Sequence, residues 1–108
     1  MAYFGDLKGN VYALNAATGE QVWKVQADPH AQARITGAPQ LYQNRLYVPV
    51  ASLEEGAAVD PAYQCCTFRG SESALDAATG KVLWKTYMIA DAAKARQIAS
   101  NIAELPPL

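Results

Sequence analysis

Cys65 and Cys66, adjacent in a chain of 108 residues, hold most of its chemical potential. A zinc site is poorly supported, because no further cysteine or histidine sits at ligand spacing and the single histidine, His30, stands alone. Covalent haem attachment fails for want of a Cys-x-x-Cys-His run. Two readings of the pair stay open. Free buried thiols behave as small hydrophobes. A disulfide between neighbours must instead join Cα atoms about 3.8 Å apart across a trans peptide, below the roughly 4.4 Å minimum of ordinary disulfides. Such a ring distorts its backbone and persists only where its surroundings hold it. Upstream, Glu54 and Glu55 form a carboxylate pair of the kind that serves as acid and base or binds calcium. On an extended segment, however, neighbouring side chains point to opposite faces. We therefore read the two glutamates as structural or solvated and do not count them as site residues.

Composition sets wide limits. Hydrophobic residues make up 51% and charged residues 18%, which fits a folded chain rather than a disordered one. Nine Lys+Arg against ten Asp+Glu leave a formal charge of -1, without the basic excess of a nucleic-acid binder. No apolar run approaches the roughly 18 residues of a membrane span. Met1 to Asp6 lacks the basic and apolar regions of a signal peptide.

The elements that carry the cysteines are repeated. Gly9 to Lys24 (GNVYALNAATGEQVWK) and Gly70 to Lys85 (GSESALDAATGKVLWK) are identical at nine of sixteen positions with a constant offset of 61. Each copy reads as a β-hairpin. In the first, Val11 to Leu14 and Gln21 to Val25 flank a turn that opens on Asn15 and places Gly19 where positive φ is wanted. Thr18 and Thr79 are expected to add a side-chain hydrogen bond to the turn. Trp23 and Trp84, at one place in both copies, suggest a contact between neighbouring units.

Further strands are expected upstream of each hairpin: Ala2 to Phe4 before the first, and Ile35 to Leu41 and Arg45 to Ser52 before the second, with a turn at Tyr42-Gln43-Asn44. Three strands of one unit followed by four of the next is the pattern of β-propeller blades. The fold expected is therefore all-β: a partial blade (1–26), a linker (27–34), a complete four-stranded antiparallel blade (35–89) and a helical or irregular tail (90–108). Two blades do not close a ring, so the chain reads as part of something larger. In the tail, Asp91 to Glu104 is Ala-rich, with Ile98, Ile102 and Leu105 at helical spacing behind an Asp91 cap. Pro106 and Pro107 stop any helix, and Lys94 and Arg96 read as a solvated face.

The copies differ at one place. Matching Tyr3-Phe4 to Tyr47-Val48 gives an offset of 44 instead of 61, so the second unit carries 17 extra residues between its second and third strands. This loop, 53–70, holds both glutamates, Asp60, Tyr63, both cysteines and Arg69. Long loops in compact repeats usually serve function or a special structural purpose.

The tandem Ala-x-(Asp/Asn)-x-x-Thr-Gly-x-x-x-Trp motifs resemble those of the quinoprotein propellers, which bind pyrroloquinoline quinone (PQQ). Gln64 to Ser71 (QCCTFRGS) resembles the vicinal-cysteine segment of PQQ-dependent alcohol dehydrogenases, and Tyr47 to Gly56 (YVPVASLEEG) is most similar to the polyvinyl-alcohol dehydrogenase branch. The resemblance covers about residues 2 to 89. It implies that Trp residues dock each blade onto its neighbour, and that Cys65 and Cys66 form a disulfide ring packed flat on PQQ. It also implies that Arg69 reaches the quinone carbonyls, where a guanidinium stabilises developing negative charge.

The function implied is oxidation of an alcohol by hydride transfer to PQQ, with electrons passed to a cytochrome. Calcium is the second cofactor, and its ligands and the catalytic base are expected outside this segment. The 108-residue chain alone is expected to be inactive. A periplasmic location follows from the resemblance and from the oxidising conditions that disulfides need. The alternative is a non-catalytic propeller scaffold for protein binding, which shares the Trp and Thr-Gly motifs but has no use for a Cys-Cys-x-x-Arg loop. A free-standing module evolved from blades is a third reading for a chain that opens on Met.

Overall fold

The computed structural model describes residues 1–103. Ten elements follow one another: β1 (Ala2–Gly5), β2 (Asn10–Leu14), β3 (Gln21–Gln26), β4 (Ala33–Arg34), β5 (Gln40–Tyr42), β6 (Arg45–Ser52), α1 (Glu54–Ala57), β7 (Ser71–Asp76), β8 (Val82–Tyr87) and α2 (Ala92–Ala103). Every strand pairing is antiparallel. The first sheet runs β1-β2-β3 and the second β4-β6-β7-β8, with β5 also paired to β6. The chain is thus all-β with a C-terminal helix, in the three-plus-four arrangement of a partial and a complete blade.

The hairpin turns repeat almost bond for bond. The Asn15 side chain accepts from the amides of Ala17 and Thr18, and the Thr18 hydroxyl accepts from the Glu20 amide. In the second unit Asp76 accepts from Ala78 and Thr79, and Thr79 from Lys81. Gly19 and Gly80 both take φ +77, the left-handed conformation that glycine adopts without steric cost. Each hairpin also carries a register shift at the matching place, Ala13/Leu14 and Ala74/Leu75.

The outer strand of the second sheet differs from expectation. Ile35 to Leu41 is not one strand: Ala33–Arg34 pairs with the end of β6 and Gln40–Tyr42 with its start. Ile35 leaves the ladder and donates its amide to the Asp6 carbonyl of the first unit. Pro39, with no N–H to give, cannot restore the pairing there. The turn that follows is tighter than expected. Tyr42 pairs with Arg45, and Gln43 and Asn44 both have positive φ, the pattern of a two-residue hairpin turn.

The core lies between the sheets. Alternate residues of β6 (Leu46, Val48 and Val50) are buried against Val11, Ala13, Ile35, Phe68 and Leu75. Trp23 crosses the gap, its Nε1 donating to the Ala77 carbonyl of the second hairpin turn at 3.0 Å, and the Tyr3 hydroxyl reaches the same oxygen. The repeated Trp thus makes a contact between units. Its counterpart pair, Tyr47 and Trp84, keeps nearly the same spacing (ring centroids 6.1 Å apart against 6.0 Å for Tyr3 and Trp23), yet Trp84 is 41% exposed.

In α2 the Asp91 carboxylate accepts from the Lys94 amide, as a cap should, and Ala95 is buried. Ile98 lies on the helix with partial exposure, and Lys94 and Arg96 are exposed. Leu105, Pro106 and Pro107 lie outside the described residues, as does the side chain of Ile102.

Candidate functional site

A single carboxylate shapes the long loop. Glu54 begins α1, a single helical turn where an extended segment was expected, so Glu54 turns inward to 4% exposure while Glu55 stays in solvent. Its oxygens accept from the Tyr63 hydroxyl (2.7 Å), the Thr67 amide (3.0 Å) and the Phe68 amide (2.7 Å). Burial works against ionisation, but these hydrogen bonds outweigh it and hold the carboxyl below the ordinary glutamate range. Asp6 does the same for the short connector of the first unit, accepting from Lys8, Asn10 and Tyr12. Each connector is therefore folded around one acid, and the 17 extra residues are clasped at their base rather than left loose.

Between the clasp points stands the cysteine pair. Cys65 and Cys66 are paired as a disulfide across a cis peptide bond, in line with what the resemblance implied. Both are partly exposed.

Phe68, two residues on, is buried in the core and anchors the loop to the sheets. His30, which looked isolated in sequence, packs edge-on against Phe68 with centroids 5.3 Å apart. Its Nε2 meets Thr67 Oγ1 at 2.8 Å, and its Nδ1 accepts from the Gln32 amide at 3.0 Å. Asp28 accepts from the His30 amide and pairs with Lys85 at 2.9 Å. Burial disfavours the Lys85 ammonium, but Asp28 and Tyr87 outweigh that and raise its pKa.

The structure brings Arg69 to a cavity of about 250 Å³ lined also by Asp28, His30, Thr67, Phe68 and Tyr87. Its Nε donates to the Ile89 carbonyl at 2.9 Å and its Nη2 to that of Ala90. The guanidinium sits over the Tyr87 ring, its Cζ 3.6 Å from the centroid. These contacts leave Nη1 without an acceptor among the described residues. The expected site residues thus share one loop, while His30, Asp28 and Tyr87 were missed. No local signal points to them, since Asp28 and His30 lie on a connecting segment 37 or more residues before Thr67 and Lys85.

Comparison with known proteins follows the same lines. A family model described as outer membrane protein assembly factor BamB (PQQ_2) matches residues 1–105. A polyvinylalcohol dehydrogenase from Pseudomonas sp is 44% identical over 85 residues, covering 79% of this chain and 13% of that protein. Quinohemoprotein alcohol dehydrogenase ADH IIB of Pseudomonas putida is 35% identical over 88 residues, 81% of this chain and 11% of the relative. The solved quinohemoprotein alcohol dehydrogenase from Comamonas testosteroni superposes with a TM-score of 0.63 at 29% identity, over 81% of this chain and 12% of its own. The chain thus spans a small part of the length of the relatives it matches. Repeat, turn chemistry and inter-sheet Trp agree with a match over nearly the whole sequence: the chain belongs to the PQQ_2 family, among relatives that are quinoprotein alcohol dehydrogenases.

Proposed function

We propose that this chain supplies the cofactor-facing loop of a PQQ-dependent alcohol dehydrogenase of the polyvinyl-alcohol dehydrogenase kind. The observation that carries the reading is the disulfide between Cys65 and Cys66 in a clasped loop of a quinoprotein-type blade. The residues fit the group. A partly exposed ring of two sulfurs offers a planar quinone a rigid, polarizable surface, and Arg69 keeps a donor uncommitted beside it in sequence. Bound PQQ supplies the acceptor for the hydride of an alcohol, which leaves as a carbonyl compound after also losing a proton. In this chain Cys65–Cys66 orients that group and Arg69 lends positive charge toward its carbonyls. Residues 1–26 and 35–89 are two neighbouring blades, and the 27–34 segment between them ends in β4, which already pairs with β6 of the second, with 53–70 as the cofactor loop. Calcium, its ligands and the base come from outside these residues, as does the site for a cytochrome acceptor, and the location is periplasmic.

The family description, an assembly factor, favours a second reading as a protein-binding scaffold. The paired cysteines weigh against it, since docking blades needs only the Trp and turn motifs. Thiol titration of the unfolded, unreduced protein, purified from an oxidising compartment, is expected to find no free thiols and two after reduction. Dye-linked alcohol oxidation by a natural polypeptide containing this sequence, with PQQ and calcium added, should fall in a Cys65→Ser/Cys66→Ser variant. Two thiols before reduction, or activity indifferent to the double substitution, overturns the reading.

A further inference from the structure

We propose that His30 is a positioning residue for the cysteine-bearing loop: in its neutral Nε2–H form it tethers Thr67, the neighbour of Cys66, to the segment leaving the first sheet. Its bearing on PQQ rests on the function proposed above, whereas the tether does not.

The clasp made by Glu54 folds the loop on itself but rides on the loop, so it cannot place the loop against the sheets. The ends of the loop are bonded outside it, Leu53 donating to the Gln32 carbonyl, Glu54 to Ser52 and Arg69 to the Ile89 carbonyl. Between these ends, among the described residues, the bond from His30 to Thr67 is the single hydrogen bond reaching in from outside. The tautomer is dictated by its partners. The Gln32 backbone N–H can only donate, so Nδ1 must be the bare, accepting nitrogen. Nε2 then carries the proton and donates to Thr67 Oγ1.

The ring is held from two further sides, Gln32 capping Nδ1 and Phe68 packing edge-on, while the Asp28 carboxylate fixes the backbone by accepting from the His30 amide. Asp28 is fastened in turn to Lys85 on β8. A continuous path therefore runs from β8 through Asp28 and His30 to Thr67 and the disulfide.

The test uses the full chain and the rate at which a small phosphine in excess reduces the Cys65–Cys66 disulfide. The sulfurs are only partly exposed while the loop is closed, so opening exposes them further to attack, and losing one net hydrogen bond raises the opening equilibrium about five-fold. His30→Ala and Thr67→Val should both be reduced faster, by at most about five-fold. His30→Gln, whose amide can still donate to Thr67, should stay near the original rate. Thr67→Val keeps the side-chain shape and decides the matter if His30→Ala does not fold. Long-range ¹⁵N spectra should show the His30 proton on Nε2. Unchanged reduction rates in both variants, or a proton resident on Nδ1, overturn the proposal. PQQ titration of a natural polypeptide containing this sequence is a separate arm. Accelerated reduction with no PQQ binding by that longer polypeptide supports the tether and counts against the cofactor reading.

Discussion

Gly19 and Gly80 occupy the same place in the two hairpin turns, with the same φ of +77, yet their surroundings differ. A Cβ at Gly19 meets nothing within 4 Å. At Gly80 it lands 2.7 Å from Trp23 Cδ2 and 2.8 Å from Cε3, well inside the roughly 3.5–4.0 Å contact distance of carbon atoms. The indole cannot withdraw freely, because its Nε1 is bonded to the Ala77 carbonyl of that same turn. Both alanine substitutions therefore cost about 1–2 kcal/mol for forcing a side chain into left-handed backbone. Gly80→Ala alone adds an overpacking cost of about 1–3 kcal/mol. The subtraction isolates the docking of one unit on the next.

The assay is urea unfolding followed by tryptophan emission, on the parent, both single variants, Trp23→Ala, and Trp23→Ala combined with Gly80→Ala. Gly80→Ala should unfold at clearly lower urea than Gly19→Ala. In the background lacking Trp23 the gap between the two glycine substitutions should narrow to what the remaining 3.0 Å approach to Val25 Cγ2 costs, since the indole atoms in conflict are gone. Equal destabilisation by Gly19→Ala and Gly80→Ala in the parent chain would refute the inference that Trp23 is wedged on the second turn.

Two further outcomes follow from the same geometry. Trp23→Ala removes a buried indole and its bond to Ala77, and should cost about 3–5 kcal/mol, whereas Trp84→Ala, at a 41% exposed site, should cost about 1 kcal/mol; parallel denaturation curves check this. Glu54→Gln turns an amide NH₂ toward donors that need an acceptor, and should cost about 2 kcal/mol at neutral pH. Because the Glu54 pKa is depressed on folding, its contribution is complete above the ordinary glutamate value of 4.5 and is lost as pH falls through the lower folded value, so the gap between parent and variant should narrow there in acid-unfolding curves.

Much of the architecture is legible in the sequence because its causes are local. The turns are specified by Asn15 or Asp76, Thr18 or Thr79, and a glycine that adopts the required φ without steric cost, so two copies of one motif give two copies of one hairpin. Aligned tyrosines and tryptophans announce the contact between units, and the shift in offset from 61 to 44 locates the long loop without any structure. The cysteine pair and Arg69 are legible by adjacency. What depends on residues far apart is not. Whether 35–41 forms one strand was decided by Ile35 finding the Asp6 carbonyl of the other unit, a partner no local pattern encodes. Glu54 looked solvated because its three partners lie 9, 13 and 14 residues away and converge only when the loop closes. His30 looked isolated because the sequence does not say that the segment leaving one sheet passes beside a loop inserted in the next. Turn residues determine their own backbone, whereas a tether exists only where tertiary packing has already brought its two ends within hydrogen-bond reach.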